Sequence, residues 1–113
     1  MPLITEAQRQ TLLAHGARRL AGEDLDVVPV VKLFTPDASA TWLLSELDPN
    51  DADIAFGLCD LGLGEPELGS VRLSEIEAVR GPRGLPVERD LHFQAERPLS
   101  AYAAAARLRG WIE

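Results

Sequence analysis

The chain has 113 residues, 46% of them hydrophobic and 26% charged, and a net charge of −7. A chain of this length and composition folds as one domain, residues 1–113, and excludes a disordered or fibrous polymer. The single cysteine, Cys59, rules out an internal disulfide and any zinc cluster built from thiols.

In chain order, Thr5, Glu6, Ala7 and Gln8 make a capping box. The threonine oxygen accepts from a free backbone N–H and the glutamine reaches back. The spacing of Leu13, Ala14, Ala17, Leu20 and Ala21 predicts a helix over 6–21, with Gly22 in the left-handed position that ends helices. "VVPVVKLF" has the β-branched density of a strand, with Pro29 at an edge or bulge. "ATWLLSEL" reads as the next strand, placing Trp42, Leu44 and Glu46 on one face and Leu43, Ser45 and Leu47 on the other. "DIAFGLCDL" is a third strand, which makes residues 48–53 a hairpin loop. A glycine-rich connection leads to a short strand around 68–73. Ser74 to Glu77 then form a second capping box, opening a helix that closes at Gly81 and Pro82. "LPVERDLHF" alternates Val87, Arg89, Leu91 and Phe93 against Glu88, Asp90 and His92 and reads as the last strand. Ser100 caps a final helix that ends at Gly110, with Trp111 folded back on its last turn. The expected fold class is α+β: an antiparallel sheet of four to five strands, covered on one side, with an N-terminal helix, a short central helix and a C-terminal helix.

The apolar runs at 27–31 and 103–106 are far shorter than the roughly 20 residues of a membrane-spanning helix. The start, "MPLITEAQRQ", lacks the basic and then apolar pattern of a secretory signal, so the expected location is cytoplasmic.

No motif carries catalysis. Counted from Asp48, a calcium loop would need glycine at its sixth place and glutamate at its twelfth, where the chain has Asp53 and Cys59. "GLGEPELGS" follows its glycines with acids and an extended segment, unlike a phosphate cradle. There is no glycine-flanked serine, Cys59 falls mid-strand, and His15 and His92 lie far apart, so no enzyme, cofactor or metal is expected. His15 reads as a helix-surface residue. Arg89, on an apolar strand face, needs a carboxylate partner, and Glu46 is assigned to it as a structural ion pair that fixes register.

Charge is the informative feature. Residues 23–77 hold thirteen acids against Lys32 and Arg72, whereas the flanking segments are each net positive. The 39 residues between Lys32 and Arg72 contain no base, which argues against direct nucleic-acid binding and for attraction to a basic protein surface. The partner-binding face is assigned to Glu46, Asp48, Asp51, Asp53, Glu65 and Glu67. Two alternatives stand beside this reading. One is a hydrolase or nuclease accessory with a carboxylate metal site at Glu46 and Asp48. The other is a homo-oligomeric module anchored by Trp42 and Trp111.

"VVKLFTP", Trp42 with Glu46 and Asp48, Phe56-Gly57, "ELGSVRLSEIE" and "GLPVERDLHF" together resemble an uncharacterised bacterial family of small single-domain proteins. That family is a domain of unknown function found on plasmids and conjugative elements. The likeness runs from Leu3 to Phe93, and the chain departs from the family pattern in carrying Leu43, Leu44, Ser70 and Val71 where relatives tend to have aromatics. The resemblance implies a mobile genetic element. In that setting an acidic, nucleic-acid-mimicking protein would inhibit host defence by blocking a restriction or CRISPR complex that binds nucleic acid.

Overall fold

A computed structural model describes residues 2–112. Helix α1 (Glu6–Leu20) is followed by β1 (Val31–Phe34), β2 (Thr41–Asp48), β3 (Asp51–Asp60) and β4 (Glu67–Arg72). Helix α2 (Leu73–Ala78), β5 (Glu88–Arg89) and α3 (Leu99–Arg109) complete the chain. The five strands form one antiparallel sheet in the order β4-β3-β2-β1-β5, so the α+β class holds. No helix among the described residues is long and apolar enough to cross a membrane.

The Thr5 capping box is present in both directions, with the Gln8 amide nitrogen donating to Thr5 Oγ1 at 3.1 Å and the Thr5 amide to Gln8 Oε1 at 2.8 Å. At the other end of the chain, Gly110 takes φ 85° and closes α3, a conformation that costs glycine nothing. Trp111, expected to fold back on the last turn, is 57% exposed, whereas Ile112 is buried with Ala103 and Ala106 of α3.

The sheet is covered on both faces. On one, Trp42, Leu44, Leu47 and Ala55 pack with Leu12 of α1, Leu73 and Ile76 of α2, and Leu3, Val31, Leu33 and Val87. On the other, Leu43 and Leu58 pack with Leu99, Ala103 and Ala106 of α3 and with Ile112. Apolar residues of β2 occupy both sides of the pleat, so each side needs a helix to remove it from water. The expectation of a one-sided cover was incomplete for that reason.

A bulge in β2 decides the site. Leu44 pairs with Gly57 and Glu46 with Phe56, which leaves Ser45 as an extra residue. The extra residue shifts the alternation by one, so Glu46 joins the face of Leu43 and Phe56, while Leu47 joins that of Trp42. The face assignment made from strict alternation is corrected beyond Ser45.

Beyond Leu44, β2 has no strand on its β1 side, and α1 lies along it instead. His15 is half-buried there, its Nδ1 donating to the Ser45 carbonyl at 2.8 Å. A carbonyl can only accept, so Nδ1 carries the proton. Gly16 permits the approach, because a Cβ on it would stand 1.8 Å from the Leu47 carbonyl oxygen.

The β2–β3 connection is a two-residue turn, Pro49 and Asn50, tighter than the 48–53 loop expected. Strand β5 covers two residues of the nine expected, and Leu91 is exposed. Helix α2 begins at Leu73, a residue before the expected cap Ser74.

Candidate functional site

Glu46 is 7% exposed, and Arg19 of α1 donates to it from Nε at 2.7 Å. A second nitrogen of Arg19 donates to the Leu25 carbonyl at 3.0 Å, which fixes the guanidinium. The pair proposed between Glu46 and Arg89 does not form: Arg89 donates to the Pro2 carbonyl at 3.0 Å. The bulge is the cause. Arg89 is in register with Leu33 and Leu33 with Trp42, so the arginine belongs to the face that Glu46 has left.

Around the Arg19–Glu46 pair is a cleft of about 290 Å³ between the carboxyl end of α1 and the β2–β3 hairpin. Its lining includes Leu20, Pro49, Ile54 and Phe56 as apolar walls, with Asp48 and Glu46 as carboxylates and Ser70 of β4 at its side. One guanidinium against two carboxylates leaves the cleft net negative. An apolar wall beneath an uncompensated carboxylate suits an alkyl stem ending in a cation.

The remaining acids are spread out by the fold and differ in what engages them. Asp48 accepts from the Asn50 amide at 2.8 Å and stiffens the turn. Asp51 and Asp53 meet the first base after the long gap: Arg72 lies 3.2 Å from Asp51 and 3.5 Å from Asp53. Asp53 also accepts from the Ser74 amide at 3.0 Å and the Ser74 hydroxyl at 2.7 Å. That supplies the amino end of α2 with the acceptor that its own cap, Arg72, lacks. These bonds, the Ser74 hydroxyl foremost, hold the Asp53 carboxyl below the usual carboxylate range, against a smaller opposing effect of desolvation. The same device recurs at α3, where Asp26 accepts from the Ser100 amide and hydroxyl while Pro98 holds the cap position. Asp60 is buried and takes the amides of Gly62 at 2.8 Å and Ile112 at 3.1 Å, which pins the carboxyl-terminal segment to the sheet.

Glu65 and Glu67 are exposed at the opposite end of the sheet. Glu67 is in register with Cys59, eight residues along β3 from Asp51, or about 26 Å at the rise of a strand. The six acids proposed as one face therefore form two stations, with Asp51 and Asp53 largely occupied by internal partners. Beside Glu65 and Glu67 runs a groove of about 350 Å³, whose lining includes Trp42, Cys59, Leu61, Leu63 and Val71. Trp42 is 3% exposed and part of the core, so it cannot anchor an oligomer, whereas Trp111 is open to solvent. Burial pushes the Cys59 thiol up, away from the reactive thiolate.

Among the described residues no group of three or more His, Cys, Asp or Glu side chains is placed to hold a metal ion. Glu46 and Asp48 do share one cleft, as a metal site would require, but Glu46 is already bound by Arg19. Sequence patterning gives no role to Arg19, a surface position to His15, which instead bonds the Ser45 carbonyl, and a cap to Ser74, which instead donates to Asp53. Arg19 lies in the last turn of α1, and nothing local marks its partner 27 residues away.

Comparison with curated proteins and with solved structures returns no match. A family described as "Protein of unknown function (DUF2958)" matches residues 3–113, extending past Phe93 through the whole of α3, and the chain belongs to that family.

Proposed function

We propose that this protein is a non-enzymatic binding module for a basic protein surface, with the Glu46 and Asp48 cleft as its principal contact and Glu65 with Glu67 as a second station. The observation that supports this reading most is the cleft itself. A net negative hollow with apolar walls fits a lysine or arginine side chain, whose stem covers Ile54 and Phe56 while its head meets the carboxylates. Asp51 and Asp53 leave the proposed face and take structural roles.

The partner to test first is a nucleic-acid-binding complex of host defence, of the restriction or CRISPR kind, in the mobile-DNA setting that the sequence resemblance implies. An acidic module seated at its nucleic-acid channel excludes the nucleic acid by like charge.

The test is capture of such a complex by the tagged protein at low and high salt, using wild type and a variant combining Asp48→Asn, Glu65→Gln and Glu67→Gln. Retention by wild type at low salt, lost both on adding salt and in the variant, is expected. Retention indifferent to salt and to all three substitutions would refute the reading.

A further inference from the structure

We propose that the free edge of β4 takes up an extended segment of the partner as a sixth strand, with alternate side chains of that segment entering the two clefts flanking the edge. This rests on the binding reading above and names the form of the ligand. Strand β4 ends the sheet, so the amides and carbonyls on its outer side have no strand to pair with. It is six residues long, contains no proline and is largely exposed. The other edge, β5, has only two residues. Charges occur only at the ends of β4, Glu67 and Arg72, and the centre from Leu68 to Val71 carries none of the charged residues that blunt natural sheet edges.

The two clefts share Ser70 of this edge and extend from it over β3 residues of opposite faces, Phe56 in one and Cys59 in the other. Ser70 pairs with Phe56, and both line the Glu46 and Asp48 cleft. Glu67 pairs with Cys59, and both line the groove that also holds Trp42, Leu61 and Leu63. Successive residues of an added strand point to opposite faces, so one set enters the cleft and the other the groove. The groove takes apolar side chains between its own apolar walls, with Glu65 and Glu67 at its rim.

The cleft takes a cation, and a long one is required. An added strand stands three strand spacings from β2, about 14 Å. An extended lysine or arginine, passing over Ser70 toward Phe56, carries its charge part of that distance, into the field of Glu46 and Asp48, where a shorter cation would stay outside the cleft. The occupant is therefore a segment that alternates long basic residues with apolar ones.

The probe is a short synthetic peptide alternating lysine and valine. It is compared with a peptide of the same composition in two blocks, and with one whose lysines are replaced by diaminopropionate, which keeps the charge on a shorter stem. Calorimetry gives affinities and amide hydrogen exchange reports on β4. Binding of the alternating peptide about tenfold tighter than either control is expected. Slowed exchange within 68–71 and weakening in both Glu46→Gln and Asp48→Asn should accompany it. Asp48→Asn and the peptide series stand even where Glu46→Gln, by stranding Arg19, disturbs the fold.

Equal binding of the three peptides with unchanged β4 exchange would overturn strand addition, while the salt-dependent capture above decides the binding reading separately. Failure of the alternating peptide to bind overturns the proposal. So does protection of β4 that rises with protein concentration as the mass doubles, because the edge is then paired with a second copy.

Discussion

Gly16→Ala tests how α1 is held. In an exposed helix interior, replacing glycine by alanine stabilises by about 1 kcal/mol, since alanine loses less backbone freedom. Here the new Cβ would lie 1.8 Å from the Leu47 carbonyl oxygen, 3.0 Å from its carbon and 3.1 Å from Pro49. The nearest obstacle is backbone in the middle of a paired strand, which cannot rotate away. The helix has to retreat by more than an ångström to reach ordinary contact. That retreat breaks the 2.8 Å bond from His15 to the Ser45 carbonyl and loosens Leu12, which has no solvent exposure. Overpacking costs about 1–3 kcal/mol, and the lost hydrogen bond about 1 more. Set against the gain in helix propensity, the net destabilisation is about 2 kcal/mol, a fall of roughly 8 °C in Tm for a domain of this size. Urea unfolding at constant slope measures it. Gly69→Ala is the control, because nothing lies within 4 Å of its Cβ, and it should stay within about 0.5 kcal/mol of wild type. A Gly16→Ala protein as stable as the parent, or more so, would refute the close approach of α1 to β2.

Three further outcomes are expected. The Asp53 carboxyl is depressed in the folded state, so its contribution to stability is present above the ordinary carboxyl range near pH 3.9 and is lost as pH falls through the lowered folded value. Acid unfolding of Asp53→Asn should therefore be less steep over that window, and a curve superimposable on wild type would argue against the cap on α2. Asp60→Ala leaves the buried amide of Ile112 without its acceptor and should cost about 2 kcal/mol, with fast exchange at that amide; unchanged protection there would show that other contacts hold the carboxyl-terminal segment. Because burial raises the Cys59 thiol, native protein should react with an aromatic disulfide reagent at pH 8 much more slowly than urea-unfolded protein, and equal rates would contradict its half-buried place in β3.

Much of the fold is legible in local sequence because the determinants are themselves local. Thr5 and Gln8 satisfy each other across one turn, and Gly110 ends a helix by its own backbone freedom. The short apolar run at 42–44 and the alternation of Ile54, Phe56 and Leu58 define strands whatever lies beside them. The acid-rich, base-free composition of 33–71 is equally plain, and Glu46 and Asp48 lie within it.

What tertiary structure alone decided is where those charges go. One extra residue at Ser45 moves Glu46 across the sheet, away from Arg89 and toward Arg19, and nothing in the alternation of "ATWLLSEL" marks that bulge. Asp53 and Asp26 look like solvated acids in sequence, yet they cap helices that begin 20 and 73 residues later. The gap without bases ends at Arg72, which the β3–β4 pairing returns to Asp51 and Asp53. Patterning sets which residues leave water, because burial depends on the period of the chain. Pairing between charges depends on distances that exist only once the strands have registered, so the division of one acidic run into two stations belongs to the fold.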